Sequence, residues 1–339
     1  MKVSVFAVDV GYGNTKSAFR MGSDIATQMF PSVTPIAVSE AVSSYGQGVL
    51  HARKVLPIEV DGATYEIGPG VELSSAYGNA GRTLSEDFCL TSNYAALLGG
   101  SLQFAGITEV DRMVLGLPVH TINKYSAHLR DAFTGTLNFG HGDIRIHSVK
   151  VVPQPLGSLV SFSEYGGSRF DRENAHLVID VGYFTTDWVV AHGFTMNDRR
   201  SGGAPGGASQ VYKSIASLIA KSEKEPVDDI ERIDKCLREK KPLLFYGKDV
   251  DLIPYLEQSQ AIINATVKEM QNRVGRTADL RSIVLTGGGA ALYEASIRAA
   301  FPRVQLDVLD APCYANAKGF LIVGEATLAR ERKPVGVAA

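Results

Sequence analysis

Short apolar runs rich in Val, Ile and Phe recur along this chain, and several stop abruptly at an aspartate or a turn-forming residue. Runs of that kind, too short for helices and dominated by β-branched and aromatic residues, predict buried strands. Two of them repeat each other. Residues 6–15 read FAVDVGYGNT and residues 177–186 read LVIDVGYFTT. Asp-Val-Gly-Tyr is identical at positions 9–12 and 180–183, and Thr15 and Thr186 fall in phase. One copy in each half of the chain predicts two related domains. In each copy the strand ends on the carboxylate, Gly11 or Gly182 permits a tight reversal, and a second strand follows at about 15–19 or 187–190. Each copy therefore predicts a β-hairpin with an aspartate at its mouth.

Elsewhere the pattern alternates between strand and helix. Helices are expected over residues 91–105, 121–134, 207–221, 258–274, 291–300 and 314–331, and strands over 112–117, 144–152, 283–285 and 304–308. Residues 29–87 are rich in Gly, Ser and Pro and predict a small inserted subdomain, with a strand pair at 58–60 and 64–67 joined by Asp61-Gly62. A second insert is expected at about 207–277, where residues 222–277 are charged, helical and broken at Pro226, Pro242 and Pro254. Pro153-Gln154-Pro155 follows the strand near 144–152 at the point where the first domain is expected to cross to the second, and a surface glutamine in a Pro-rich turn is the alternative. The expected organisation is domain I over 1–155 and domain II over 156–315, with a helix at about 316–331 returning to domain I. The fold class is α/β.

Composition narrows the partners. A chain of 339 residues, 45% hydrophobic and 21% charged, has room for two large domains with their own cores. Lys plus Arg is 34 and Asp plus Glu is 36, a net charge of −2, which excludes a chain-wide electrostatic surface for nucleic acid or anionic membrane. The 3 cysteines form no CxxC and the histidines no HExxH, so neither a disulfide framework nor a zinc cluster is expected. Met1-Lys2 leads into an apolar run that Asp9 ends too early for a secretory signal, and no stretch is long enough to span a bilayer. The expected location is the cytoplasm.

Candidate chemistry sits at the repeated hairpins. In the first, Gly11 and Gly13 let the backbone N–H groups of Gly11, Tyr12, Gly13, Asn14 and Thr15 approach an anion, and Lys16 adds a positive charge. Asp9 beside a phosphate cradle would repel it unless a cation lies between them, which points to Mg²⁺ held by Asp9 through water; a plain hairpin with a solvated aspartate is the alternative. The second copy, with Asp180, Gly182, Tyr183, Phe184, Thr185 and Thr186, offers backbone and hydroxyl donors and a second carboxylate for the same metal. A third element, Thr286-Gly287-Gly288-Gly289-Ala290, lies between a predicted strand and helix, where three glycines let a flat base or a phosphate rest on the backbone. A flexible loop is the alternative there.

Together these elements resemble the actin-like ATPase superfamily, which includes actin, heat-shock chaperone ATPases, sugar kinases and bacterial actins. The two hairpins resemble its phosphate-1 and phosphate-2 motifs, and residues 286–290 its adenosine motif. Leu115-Gly116-Leu117-Pro118-Val119, the segment VVPQPLG at 151–157 and Tyr314-Ala315-Asn316-Ala317-Lys318-Gly319-Phe320 are most similar to the ParM/StbA group of plasmid and archaeal actins. Tyr183 and Phe184 stand where the phosphate-2 motif usually has small residues. The resemblance implies a duplicated actin-like (ribonuclease H-like) fold with ATP and Mg²⁺ in an interdomain cleft. It also places Gln210 and Lys213 of the 207–221 helix near the nucleoside, although a solvated helix face explains both equally well.

Gln154 is the candidate for hydrolysis. A glutamine is a poor base but can accept from and donate to a water in line with a γ-phosphate, and bacterial actins carry a Gln or Glu at this point. The expected activity is therefore an ATPase with Gln154, Asp180 and Asp9 as catalytic groups, coupled to head-to-tail self-assembly into a filament. By resemblance the role is plasmid or DNA segregation through a DNA-binding adaptor, with no direct nucleic-acid contact. GTP use, a small-molecule or sugar kinase, a chaperone-type ATPase and a non-hydrolysing actin-like scaffold remain the alternatives.

Overall fold

The computed structural model describes residues 1–37, 53–71 and 85–332. The chain divides into two compact units. One runs from Met1 to Phe170 and resumes at Cys313, and the other is Asp171–Pro312.

The first unit contains β1 (Lys2–Val10), β2 (Asn14–Met21), β3 (Asp24–Pro31), β4 (Leu56–Val60), β5 (Ala63–Ile67), α1 (Ser92–Phe104), β6 (Glu109–Leu117), α2 (Ile122–Phe133), β7 (Gly135–Asn138), β8 (Asp143–Ile146), β9 (Val149–Pro153) and α3 (Gln154–Tyr165). The second contains β10 (Ala175–Val181), β11 (Thr186–His192), β12 (Thr195–Met196), β13 (Gly202–Ala204), α4 (Ala208–Glu223), α5 (Ile230–Glu239), β14 (Leu243–Phe245), β15 (Lys248–Val250), α6 (Ile253–Gln258), α7 (Gln260–Val274), β16 (Leu280–Thr286), α8 (Ala290–Ala300) and β17 (Gln305–Val308). The last helix, α9 (Ala315–Arg332), belongs to the first unit.

The sequence repeat is a repeat of topology. In the first unit β1 pairs antiparallel with β2 and parallel with β6, and β6 pairs parallel with β9. In the second, β10 pairs antiparallel with β11 and parallel with β16, and β16 pairs parallel with β17. The repeated aspartates occupy matching places: Asp9 lies opposite Lys16 across β1–β2, and Asp180 opposite Asp187 across β10–β11. This is the duplicated α/β architecture expected of an actin-like fold.

Both faces of β1 are covered, which is why it reads as an unbroken apolar run. Phe6, Val8 and Val10 pack with Leu97, Leu98 and Leu102 of α1 and Leu129 of α2. Val5 and Ala7 point the other way, into a cluster with Ala317, Phe320 and Leu321 of α9. Strand alternation therefore aims Asp9 at the α9 side of the sheet. On that side α3 and α9 come very close. A Cβ at Gly319 would lie 1.7 Å from the Gly157 carbonyl oxygen, and Cβ atoms at Gly116 and Gly157 would strike the Phe320 ring. In the second unit Leu177, Ile179 and Val181 of β10 form a core with Val211, Ile215 and Ile219 of α4, Ile263 and Val267 of α7 and Ile297 of α8.

Several expectations change. Pro153-Gln154-Pro155 is not a crossing turn but the start of α3, since proline is tolerated in a first helical turn. Because α3 packs on α9, the change of unit comes at Phe170–Asp171 rather than at 155–156. The expected strand at 144–152 is two strands, β8 and β9. The insert expected at 29–87 overlaps the end of β3, a strand of the main sheet, and holds the β4–β5 hairpin, whose turn places Asp61 at φ 53° and Gly62 at φ 78°. Residues 38–52 and 72–84 of that insert lie outside the described residues. In the charged segment 222–277, the small hairpin β14–β15 interrupts the helices.

His176, at the start of β10, is fully buried. Its Nδ1 is 2.9 Å from Ser282 Oγ and its Nε2 2.8 Å from the Asp171 carbonyl oxygen. Burial, only partly offset by that backbone contact, holds its pKa below the ordinary histidine value. The unfolded chain therefore takes up a proton before the folded one, so stability is expected to fall as the pH drops below about 6.5. Unfolding midpoints at about pH 7.5 and about pH 5.5 should differ more for the wild type than for His176→Gln.

Candidate functional site

The first acidic hairpin is built on β1 and β2. Asp9 is the penultimate residue of β1 and is 3% exposed. Its Oδ1 accepts from Gln154 Nε2 at 2.8 Å, and its Oδ2 lies 3.4 Å from Lys16 Nζ. The turn closes through Gly11 N–H donating to the Asn14 carbonyl at 3.2 Å. Gly11 has no room for a side chain, since a Cβ would sit 3.0 Å from Asn14 O and 3.1 Å from Lys16 Nζ. Ser32, just beyond β3, pins the turn from behind. Its Oγ donates to Gly11 O at 2.5 Å and lies 3.0 Å from Thr15 Oγ1, and its N–H donates to Gly13 O at 3.0 Å. The Tyr12 side chain is turned to the Phe88 ring, with centroids 5.1 Å apart, and donates to Ser85 O at 2.7 Å. The Tyr12 side chain thus anchors the turn.

Gln154 reaches Asp9 because it is the first residue of α3, at the C-terminal end of β9. A carboxylate only accepts, so the amide nitrogen faces Asp9 and Oε1 is turned the other way. Asp9 therefore fixes which end of the amide is presented as an acceptor. Both residues belong to the same unit.

In the second hairpin Asp180 is 8% and Asp187 2% exposed. Gly182 N–H donates to Thr185 O at 2.9 Å, and Thr185 Oγ1 donates to Asp187 Oδ2 at 2.8 Å. The loop carbonyls face the start of α4: Gly182 O accepts from Ala208 N, Tyr183 O from Ser209 N and Phe184 O from Gly207 N, at 3.0, 2.8 and 3.0 Å. The Thr186 hydroxyl donates to Gly206 O at 2.7 Å. Tyr183 points toward α5, where its hydroxyl donates to Glu231 Oε1 at 2.6 Å.

The glycine loop after β16 lies against this hairpin. Asp180 stands opposite Thr286 in the parallel β10–β16 ladder. Gly287 adopts φ +90°, and a Cβ there would lie 2.4 Å from Asp180 Oδ1 and 2.3 Å from Val181 O, so only glycine fits. Gly289 N–H donates to Val181 O at 2.9 Å, and Gly288 has open space above it. Pro312 O holds the loop from behind, accepting from Thr286 Oγ1 at 2.9 Å and from Gly287 N at 3.4 Å. On α4, Gln210 donates its amide to Pro205 O and Lys213 is exposed. The structure therefore brings Asp9, Lys16 and Gln154 together in one unit, and Asp180, Thr185, Gly287 and Gly289 together in the other. Ser32, Asp187 and Pro312 complete these arrangements. No local motif marks Ser32 or Pro312 in the sequence, because each acts through a backbone loop distant along the chain.

A cation could also be offered ligands elsewhere. Glu109, Asp111 and His147 present one ligand atom each, all within 4.8 Å of one another. Glu109 opens β6 and pairs with Lys2, at the end of β1 remote from Asp9. Hydrogen bonds from Lys2 and then His147 draw its pKa down to about 2. Asp111 meets Arg332 at 2.6 Å. These charges satisfy one another as a surface ion-pair network.

Two family descriptions match the chain in succession. Residues 7–157 match the N-terminal domain of actin-like proteins, and residues 178–299 match the C-terminal part of the archaeal actin homologue MreB-like proteins. No curated protein matches the chain in sequence. Among solved structures, the archaeal actin homologue Ta0583 superposes with a TM-score of 0.77 at 20% identity, over 95% of this chain and 99% of that one. The same homologue has been solved in complex with ADP, and superposes in that form with a TM-score of 0.72. A ParM from Clostridium botulinum, in a 15-stranded filament, superposes with a TM-score of 0.76 at 20% identity, over 96% of this chain and 100% of that one. Among the described residues no helix is long and apolar enough to cross a membrane.

Proposed function

We propose that this chain, whose two halves match actin-like family descriptions in succession, is a nucleotide-dependent ATPase that assembles with copies of itself into filaments. The observation that carries the reading is the bond from Gln154 Nε2 to the buried Asp9 carboxylate, which leaves Gln154 Oε1 as the acceptor end of the amide. A glutamine held in this way orients a water for attack on a phosphoryl group. Lys16 and the backbone of residues 11–15 are proposed to take the phosphates of ATP. Thr185 and the Gly182 loop are proposed to contact the same phosphates, and the glycines at 287–289 the rest of the nucleotide, with Gln210 and Lys213 at its nucleoside end.

The donor set suits Mg²⁺. Asp9 and Asp180 are hard oxygen ligands, each nearly buried, and Asp180 lies against Gly287, where a side chain would intrude. They are the residues assigned to hold the ion, through water. The ion's contribution when bound is to offset the negative charge of the phosphates. The chain's own groups then act in order. Lys16 and the backbone cradle orient the phosphates, Gln154 Oε1 accepts from the attacking water, and Asp9 keeps the amide from rotating.

The self-assembly reading is supported by the similarity to a ParM that forms filaments. A head-to-tail contact whose rotation does not close on itself propagates an open filament, and loss of the γ-phosphate is proposed to weaken it. Plasmid or DNA segregation through a DNA-binding adaptor is the proposed role, the near-neutral net charge favouring an adaptor over direct contact with nucleic acid.

The test is light scattering and phosphate release by the purified chain with ATP and with no nucleotide, alongside Gln154→Ala. Scattering should rise with ATP. The variant should release phosphate about a hundredfold more slowly, the loss typical of one positioned polar group, and scatter for longer. Equal release by the two proteins would remove Gln154 from the reaction.

A further inference from the structure

Helix α5 packs Ile233, and less fully Ile230, Cys236 and Leu237, against the core of its unit. Glu231 is buried beside them. Two tyrosines add directed polar bonds to this helix. Tyr183, in the loop of the second acidic hairpin, donates its hydroxyl to Glu231 Oε1 at 2.6 Å. Tyr212 of α4 donates to Asp234 Oδ1 at 2.6 Å, and Arg238 clamps the same carboxylate at 2.8–3.1 Å. The two tyrosine rings lie 6.5 Å apart, and positions 231 and 234 share one face of α5. Burial and then Asp234 drive the Tyr212 pKa far upward, so this phenol stays a donor.

The loop that carries Tyr183 is itself stiff. Its carbonyls at 182, 183 and 184 are all used by the first N–H groups of α4 and the residue before it. A Cβ at Gly207 would lie 2.5 Å from Tyr183 O, so the loop and the start of α4 leave each other no slack. A small shift of the loop therefore moves the Tyr183 hydroxyl as a rigid extension of the backbone. A helix tied to the loop by a directional hydrogen bond to a carboxylate follows such a shift or loses the bond.

The geometry points to Tyr183 as a positioning residue that couples occupancy of the phosphate-binding loop to helix α5 through Glu231. This inference rests on the reading that residues 182–185 contact the phosphates of a nucleotide. Ligand phosphates that draw the loop inward pull the Tyr183 hydroxyl with it, and Glu231 brings α5 along. Removal of the ligand relaxes the same linkage. The bulky residue at position 183 thus serves by reaching away from the ligand into the inserted helical segment.

The test is amide hydrogen exchange of the full chain, with Mg²⁺–ADP and without nucleotide, in the wild type, Tyr183→Phe and Glu231→Gln. The phenylalanine keeps the ring against Tyr212 and removes only the hydroxyl, and the glutamine keeps an acceptor oxygen for it. In the wild type, nucleotide should slow exchange both at residues 180–186 and at residues 230–239. In Tyr183→Phe the slowing at 180–186 should remain, while that at 230–239 should fall by about tenfold, the ratio set by one hydrogen bond to a charged group. Glu231→Gln should stay close to the wild type. Protection at 230–239 that is equal in the wild type and Tyr183→Phe, or absent from a wild type protected at 180–186, overturns the coupling alone. A wild type protected at neither segment overturns the nucleotide reading and the coupling with it.

Discussion

An Asp9→Ala chain is expected to release phosphate from ATP about a thousandfold more slowly than the wild type, a larger loss than Lys16→Ala or Gln154→Ala. The size follows from how much one carboxylate holds. Asp9 fixes the Gln154 amide through a 2.8 Å bond, faces Lys16 across the ladder at 3.4 Å, and is one of two groups assigned to the metal. Removing it frees the amide to rotate and leaves Lys16 without its partner in the hairpin. Lys16→Ala removes only a charge and Gln154→Ala only the water's acceptor, so each should cost less than Asp9→Ala. A phosphate-release assay on the three variants orders them. An Asp9→Ala chain as fast as the wild type would mean that this carboxylate serves the hairpin and not the reaction.

Gly319→Ala is expected to destabilise the folded protein by about 3–5 kcal/mol, at the upper end of what overpacking does. The new methyl would meet a carbonyl oxygen of the facing helix, 1.7 Å away, and a backbone atom cannot rotate aside as a flexible side chain can. Relief requires α3 and α9 to part. That parting would also draw Gln154, the first residue of α3, away from Asp9. Chemical denaturation should therefore show a lower midpoint, and nucleotide turnover should fall further than the loss of folded protein explains. Gly324→Ala provides the comparison. Its methyl would press only on the side chains of Val5 and Val114, which have some freedom to move, so the expected loss is smaller. Unchanged denaturation midpoints for Gly319→Ala would contradict the packing described.

The legible part of the fold was the part buried on both faces. β1 and β10 announce themselves because every residue near their ends is apolar until the aspartate, and the aspartate is conspicuous for that reason. The turn at Asp61-Gly62 and the αL glycine at 287 were legible because few other residues adopt those backbone angles. The edge strand β3 escaped notice because it is only half buried and carries no strong alternation. Helix α3 was hidden by its flanking prolines, which signal a turn unless the chain continues as a helix beyond them. That misreading also displaced the expected crossing between units. The close approach of Gly157 to Gly319 has no local signal at all, since it depends on two helices remote along the chain. For the candidate site, Asp9, Lys16, Asp180 and the glycines carried their own motif. Ser32, Pro312 and the Tyr183–Glu231 link did not, because each supports a motif from another element.

Calorimetric titration tests most directly the proposed metal–nucleotide complex held by the repeated aspartates. ATP should bind the wild-type chain in the presence of Mg²⁺. Binding should weaken by about tenfold or more in EDTA, and by a similar factor in Asp180→Ala with Mg²⁺ present. Binding that is equally tight in EDTA and in Asp180→Ala, or no binding by the wild type, would contradict it.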